Sequence, residues 1–230
     1  MKNNKNKYLV VLALMLQVCV SNAGELKTEN PEFYTSNNEA FSEAFFKDMI
    51  KYTELVQNKE FDKALVGFNR LMNKRSANKY ERAQAEMYVG YVKSKQGHHI
   101  EAAKHYKNVI ETNVLRKHAF LNASIDYAKE LIAAGQYKQS IEALKDYYAK
   151  TDAIQDFVFA LEAVAQVKIG EYNKAVDLYK TAIDLSEEPQ ETWNHHLYLL
   201  YVTLEQNEKA SEVLNKLRSM NPTNQEYWKS

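Results

Sequence analysis

From Ala40 onward, apolar residues recur at spacings of three and four. Phe41, Phe45, Met49, Tyr52 and Val56 fall on one face of a helix. A second run with the same period, from about Glu60 to Lys74, carries Phe61, Ala64, Leu65, Phe68 and Leu71. Each stripe is too exposed to be stable alone, so the pattern predicts helices that pack in pairs.

The junction within each pair comes back along the chain. Lys59-Glu60-Phe61-Asp62-Lys63-Ala64 is followed by relatives at Gly97–Ala102, Gly135–Ser140, Gly170–Ala175 and Glu205–Ala210. The small residue closing each stretch sits at 64, 102, 140, 175 and 210, giving steps of 38, 38, 35 and 35 residues. Gly97, Gly135 and Gly170 are expected to end a helix in the left-handed conformation. Phe61, Tyr137 and Tyr172 are expected to pack in the angle between paired helices. Gly90, which costs a helix interior about 1 kcal/mol relative to Ala, implies close approach of a neighbouring helix; Ala128 and Ala163 stand at the equivalent places.

A period near 34 residues in helix-turn-helix units resembles the tetratricopeptide repeat. The fold class predicted is all-α, a tetratricopeptide-repeat α-solenoid of about five units. These occupy about 40–74, 80–113, 116–150, 152–187 and 189–222, within a repeat region of 39–222. Residues 223–230 form a C-terminal segment in which Tyr227-Trp228 either caps the array or docks a partner.

The N-terminus breaks the pattern. Lys2, Lys5 and Lys7 precede an uncharged apolar-rich run from Tyr8 to Val20, and Ser21-Asn22-Ala23 supplies small residues before a cut after Ala23. This predicts a signal peptide over 1–23 and export of the chain, the run being shorter than the roughly 20 residues of a membrane span. A polar lead, 24–38, follows and ends in Thr35-Ser36-Asn37-Asn38, a candidate helix cap. Cleavage removes Cys19, the only cysteine, leaving a mature chain with no thiol or disulfide and no stable membrane insertion.

Composition narrows the function classes. Of the residues, 45% are hydrophobic and 26% charged, with 30 basic and 30 acidic side chains. Removing three lysines and no acid leaves a formal charge of about −3. Such a chain carries no basic stripe to neutralise phosphates, which argues against nucleic acid.

No catalytic, metal or cofactor constellation is predicted. His195 and His196 are adjacent on a helix and point about 100 degrees apart, so they do not form a chelating pair. His98, His99, His105 and His118 read as surface residues. The glycines are accounted for by helix ends and packing, leaving no phosphate-cradling loop, and nothing resembles a nucleophile held against a base. The chain is therefore read as a non-enzyme without cofactors, a hydrolase of envelope polymers being the enzymatic alternative.

Variation along the first helix of each pair is the better indicator of function. Its open side offers Met87 and Tyr91, Asp126 and Lys129, Phe157 and Val164, and His195 and Leu199. A mixed aromatic and aliphatic lining suits an extended peptide or an amphipathic helix. The segments Tyr80–Tyr91, Glu191-Thr192-Trp193-Asn194 and Asn221–Trp228 resemble exported repeat proteins encoded beside the TonB, ExbB and ExbD energy-transduction components of Gram-negative bacteria. That resemblance implies a periplasmic scaffold supporting TonB-dependent transport. Its partner would be a protein or peptide segment of a TonB/ExbB/ExbD-type envelope complex. An assembly or secretion factor for outer-membrane or pilus components is the alternative within the binding class.

Overall fold

The computed structural model describes residues 41–228. The expected signal peptide over 1–23 with Cys19, and the lead over 24–38 with its candidate cap, lie outside the described residues. Among those described, ten α-helices and one short 3-10 turn are present, with no strand. In order they are α1 (Glu43–Gln57), α2 (Phe61–Met72), α3 (Lys79–Lys95), α4 (His99–Glu111), α5 (Lys117–Ala133), α6 (Tyr137–Tyr148), α7 (Asp156–Lys168), α8 (Tyr172–Leu185), α9 (Glu191–Thr203) and α10 (Asn207–Met220), with the 3-10 turn at Gln225–Trp228. No described helix is long and apolar enough to cross a membrane.

The chain divides into two compact units, one ending at Gln136 and the other beginning at Tyr137. In the first, the apolar stripe of α1 closes on α2 and α3. Phe45, Met49, Phe68 and Val92 are all but inaccessible to solvent. Phe68 meets Tyr52 edge-on at 5.8 Å and stacks on Tyr88 at 5.0 Å. Gly67 is required here: a Cβ on it would lie 2.3 Å from Tyr52 Cδ1. Gly90 has the role expected of it, since its missing Cβ would stand 3.2 Å from His105 Cβ on α4. Met87 belongs to this interior with Ala83, Val109 and Ala123.

One buried carboxylate joins two helix starts. Asn78 and Glu81 form a capping box on α3, with Glu81 N donating to Asn78 Oδ1 at 2.8 Å and Asn78 N donating to Glu81 Oε2 at 2.9 Å. The other oxygen, Oε1, accepts from both the backbone N and the hydroxyl of Ser42, each at 2.7 Å. Ser42 is the N-cap of α1, so Phe41 precedes the helix and stacks on Phe45 at 5.7 Å. Burial works against the Glu81 anion, yet the bonds from Ser42 and Asn78, with the nearby Lys74 charge, hold its pKa below the usual value.

The second unit is built the same way. Ala163 and Ala175 are wholly buried, and Tyr179, Trp193, Leu197 and Leu200 fill the space between α8 and α9. Its C-terminal end is closed by Tyr227, buried against Leu214 and Leu217, with its hydroxyl donating to Glu191 Oε1 at 2.6 Å. The aromatic pair is thus divided in role. Tyr227 is a cap, whereas Trp228 is 58% exposed, with the Arg218 guanidinium 5.0 Å from its ring.

Five turns share one geometry. At Lys59, Gly97, Gly135, Gly170 and Glu205 the backbone is left-handed, with φ between 57 and 83 degrees. In each, the next residue's N–H reaches back to a carbonyl in the last turn of the helix: Glu60 to Leu55, His98 to Lys93, Gln136 to Leu131, Glu171 to Gln166 and Gln206 to Tyr201, at 2.7 to 2.9 Å. This is the Schellman closure, which satisfies otherwise orphaned carbonyls. The small residues at 64, 102, 140, 175 and 210 are all buried, which lets the next helix come close.

Candidate functional site

In the second unit, the C-terminal halves of α7 and α9 and the start of α8 leave a cavity of about 360 Å³. Helix α7 contributes Val164, Val167 and Lys168, one helical stripe at spacings of three and four. Helix α9 contributes His196, Leu199 and Thr203 in the same register, with Leu200 beneath. From α8 come Tyr172, at the mouth, and Tyr179, whose body is buried. The Schellman turn at Gly170 sets this arrangement: it ends α7 abruptly and starts α8 two residues later, so Tyr172 emerges beside the last turn of α7.

The rim is apolar and open. Leu199 is 45% exposed and Tyr172 38%, and Val202, 46% exposed, lies beside Leu199 on α9. Exposed large apolar side chains that cluster, unlike single ones, mark interaction surfaces. Tyr172 does not fill the angle between α7 and α8 as the repeat pattern led one to expect. The buried Ala175 brings the helices together without it, and its ring is left at the mouth.

The polar groups of the cavity wall are few. Tyr179 Oη and His196 Nδ1 share a hydrogen bond of 2.9 Å. Burial pushes the Tyr179 phenol up to about 12. Desolvation of its inner edge holds the His196 imidazole below its ordinary value, with the His195 charge acting in the same direction, although the outer edge of the ring reaches solvent. The Thr203 hydroxyl is engaged with Leu199 O at 2.8 Å. Lys168 is the one charged side chain in the lining.

Of the eight residues expected on the open side of the first helices, Val164 and Leu199 are brought together in this cavity. Phe157 is half-buried against the core of the same unit. His195 turns the other way, its ring 6.4 Å from Tyr198 and 5.9 Å from Tyr227, and belongs to the C-terminal closure. In the first unit Met87 is only 4% exposed. It is a core residue and a correction to the expected lining, because its position on α3 turns toward α4 and α5. Tyr91 is half-buried, with Lys95 Nζ 5.1 Å from its ring centre. Asp126 and Lys129 are paired with each other at 3.6 Å.

Part of the remaining wall carries a signal in the sequence. Val167, Lys168 and His196 lie about one helical turn from Val164 or Leu199 and are legible as their stripe-mates. Tyr172 and Tyr179 are not, because they come from the second helix of the pair.

The histidines of the first unit are tied up singly. His99 Nδ1 donates to Glu130 Oε2 at 2.8 Å, while Ser94 donates to Glu130 Oε1 at 2.6 Å, so one buried carboxylate links α3, α4 and α5. His105 lies 3.3 Å from Glu86. Among the described residues no group of three or more His, Cys, Asp or Glu is placed to hold a metal ion.

No family model matches the chain, and no curated protein is similar to it in sequence. Solved structures are similar in fold. MamA (residues 41 to the end) from Desulfovibrio magneticus RS-1 matches with a TM-score of 0.68 at 16% identity, covering 80% of this chain and 99% of that one. A tetratricopeptide repeat protein from Parabacteroides merdae ATCC 43184 gives a TM-score of 0.69 at 12% identity, over 81% of this chain and 70% of that one. YrrB, a tetratricopeptide repeat protein with an unusual peptide-binding site, gives 0.63 at 16% identity, over 81% and 96%. At these identities the likeness establishes the fold, an all-α tetratricopeptide-repeat solenoid of about five helix-turn-helix units.

Proposed function

We propose that this chain is a non-enzymatic scaffold that binds a segment of a protein partner in the cavity between α7, α8 and α9. The observation that carries the reading is the open apolar rim of Leu199 and Tyr172 around a wall of Val164 and Val167. Such a rim leaves apolar surface in water at about 25 cal/mol per Å², a cost that a docked apolar side chain removes. The rest of the cavity wall supports binding over catalysis. The Tyr179 hydroxyl and the His196 imidazole are engaged with each other, burial keeps the Tyr179 phenol protonated, and the Thr203 hydroxyl is engaged with Leu199 O.

The charged lead, apolar run and small residues before Gly24 support export to the periplasm. The segments that resemble the exported repeat proteins of TonB systems support a role beside an envelope energy-transduction complex. Crosslinking in intact cells tests both. Wild-type protein should capture an envelope partner, with the mature chain beginning at Gly24 by mass spectrometry, and Leu199→Glu with Tyr172→Glu should abolish capture while leaving far-UV circular dichroism unchanged. Recovery of outer-membrane or pilus assembly components in place of TonB-type energisers would transfer the role to envelope assembly. Undiminished capture by the double variant would remove the cavity from the reading.

A further inference from the structure

The cavity wall has a charge asymmetry that the docking reading does not use. Lys168 is its one charged lining residue, it is exposed, and it has no ion-pair partner among the described residues. The nearest acid in sequence, Glu171, is engaged with Lys174 at 3.2 Å. No carboxylate lines the cavity. Lys168 ends α7, where a cation also meets the negative end of the helix dipole, so its position at the rim is favoured before any partner arrives.

We infer that the segment docked in this cavity carries an acidic residue beside its apolar anchor, with the anchor lying between Val164 and Leu199 and the carboxylate meeting Lys168. This rests on the docking reading above and specifies its partner as an apolar-acidic peptide. The rim favours a peptide over a free fatty acid, because Leu199 and Tyr172 stand out into solvent where a second surface can cover them, whereas an acyl chain needs an enclosed tunnel. The Tyr179–His196 bond closes the inner wall without presenting an anion, so nothing in the lining opposes the acid. The lysine gives selectivity more than affinity, as rim charges do.

Selection of displayed random dodecapeptides on the purified mature chain tests the inference. Wild type should enrich peptides with Leu, Phe or Met next to Asp or Glu. Lys168→Glu should erase or invert the acidic preference while the apolar anchor persists, and should weaken a selected acidic peptide about fivefold, an effect that shrinks in high salt. Leu199→Glu should lose the peptides altogether, with helicity by circular dichroism unchanged. Apolar peptides without acidic enrichment, or an acidic preference unchanged in Lys168→Glu, would overturn the inference and leave the docking reading standing. Selection of no peptide above an unrelated repeat protein, or saturable binding of palmitate alone, would overturn both.

Discussion

The five Schellman turns carry different residues at the same left-handed position, and that difference can be turned into a stability measurement. Lys59 and Glu205 hold φ of 60 and 57 degrees, where Gly97, Gly135 and Gly170 hold 78, 75 and 83. A side chain in this region costs roughly 1–2 kcal/mol, because Cβ crowds the following carbonyl. Glycine avoids that cost but has more backbone freedom in the unfolded chain, worth about 0.5–1 kcal/mol. The Lys59 and Glu205 side chains are exposed and make no hydrogen bond or ion pair among the described residues, so substitution removes no such contact there. Lys59→Gly and Glu205→Gly should therefore each stabilise the chain by about 0.5–1 kcal/mol. They lie in separate compact units, so the gains should add. The reciprocal change isolates the same term. A Cβ at Gly97 would meet nothing within 4 Å, so Gly97→Ala should lose about 1 kcal/mol through backbone strain alone. Urea denaturation followed by far-UV circular dichroism reads these effects as shifts in midpoint. A destabilising Lys59→Gly together with a silent Gly97→Ala would refute the account of the turns.

Two carboxylates should give opposite pH signatures. Glu81 has a depressed pKa in the folded chain, so its contribution is present above the ordinary carboxylate range and is lost as pH falls through the folded value. Glu81→Ala strands the Ser42 and Asn78 donors and should destabilise by roughly 3 kcal/mol at pH 7, with the difference from wild type narrowing in acid. Asp126 behaves the other way: burial raises its pKa to about 7, opposed by Lys129 and aided by Glu130. The folded state then binds the proton more tightly, and stability falls as pH rises from about 4 to about 7. Asp126→Asn should stabilise by up to about 4 kcal/mol above pH 7 and bring no gain near pH 4, measured by thermal melts across that range. A gain independent of pH would remove the buried charge as its cause.

The repeat architecture was legible because it is local and recurs. A 3.6-residue apolar stripe, a left-handed helix end and a small residue that admits the next helix are each a property of a few neighbouring positions. Repetition of all three at nearly constant spacing separates them from chance. Gly90 could be explained from sequence for the same reason, since a glycine inside a strong helical pattern needs a close neighbour. The same logic applies to Gly67 inside the 60–74 pattern, and what only the structure supplies is the neighbour itself, Tyr52 on α1 for Gly67 and His105 on α4 for Gly90. Glu81 likewise reads as an ordinary capping-box residue, and nothing local reveals that its second oxygen caps α1 through Ser42.

The candidate site shows the same division. Val164 and Leu199 could be chosen from sequence because each lies on the variable stripe of a first helix. Met87 has that register too and is buried, and His195 is drawn aside by Tyr198 and Tyr227. The sequence by itself determined an all-α array of paired helices and the stripes on which a site could lie. Which stripe residues remain open, and that Tyr172 and Tyr179 from the second helix join them around one cavity, was decided by tertiary structure. Exposure depends on the neighbouring helix that covers a residue or fails to, and periodicity within one helix carries no information about its neighbours.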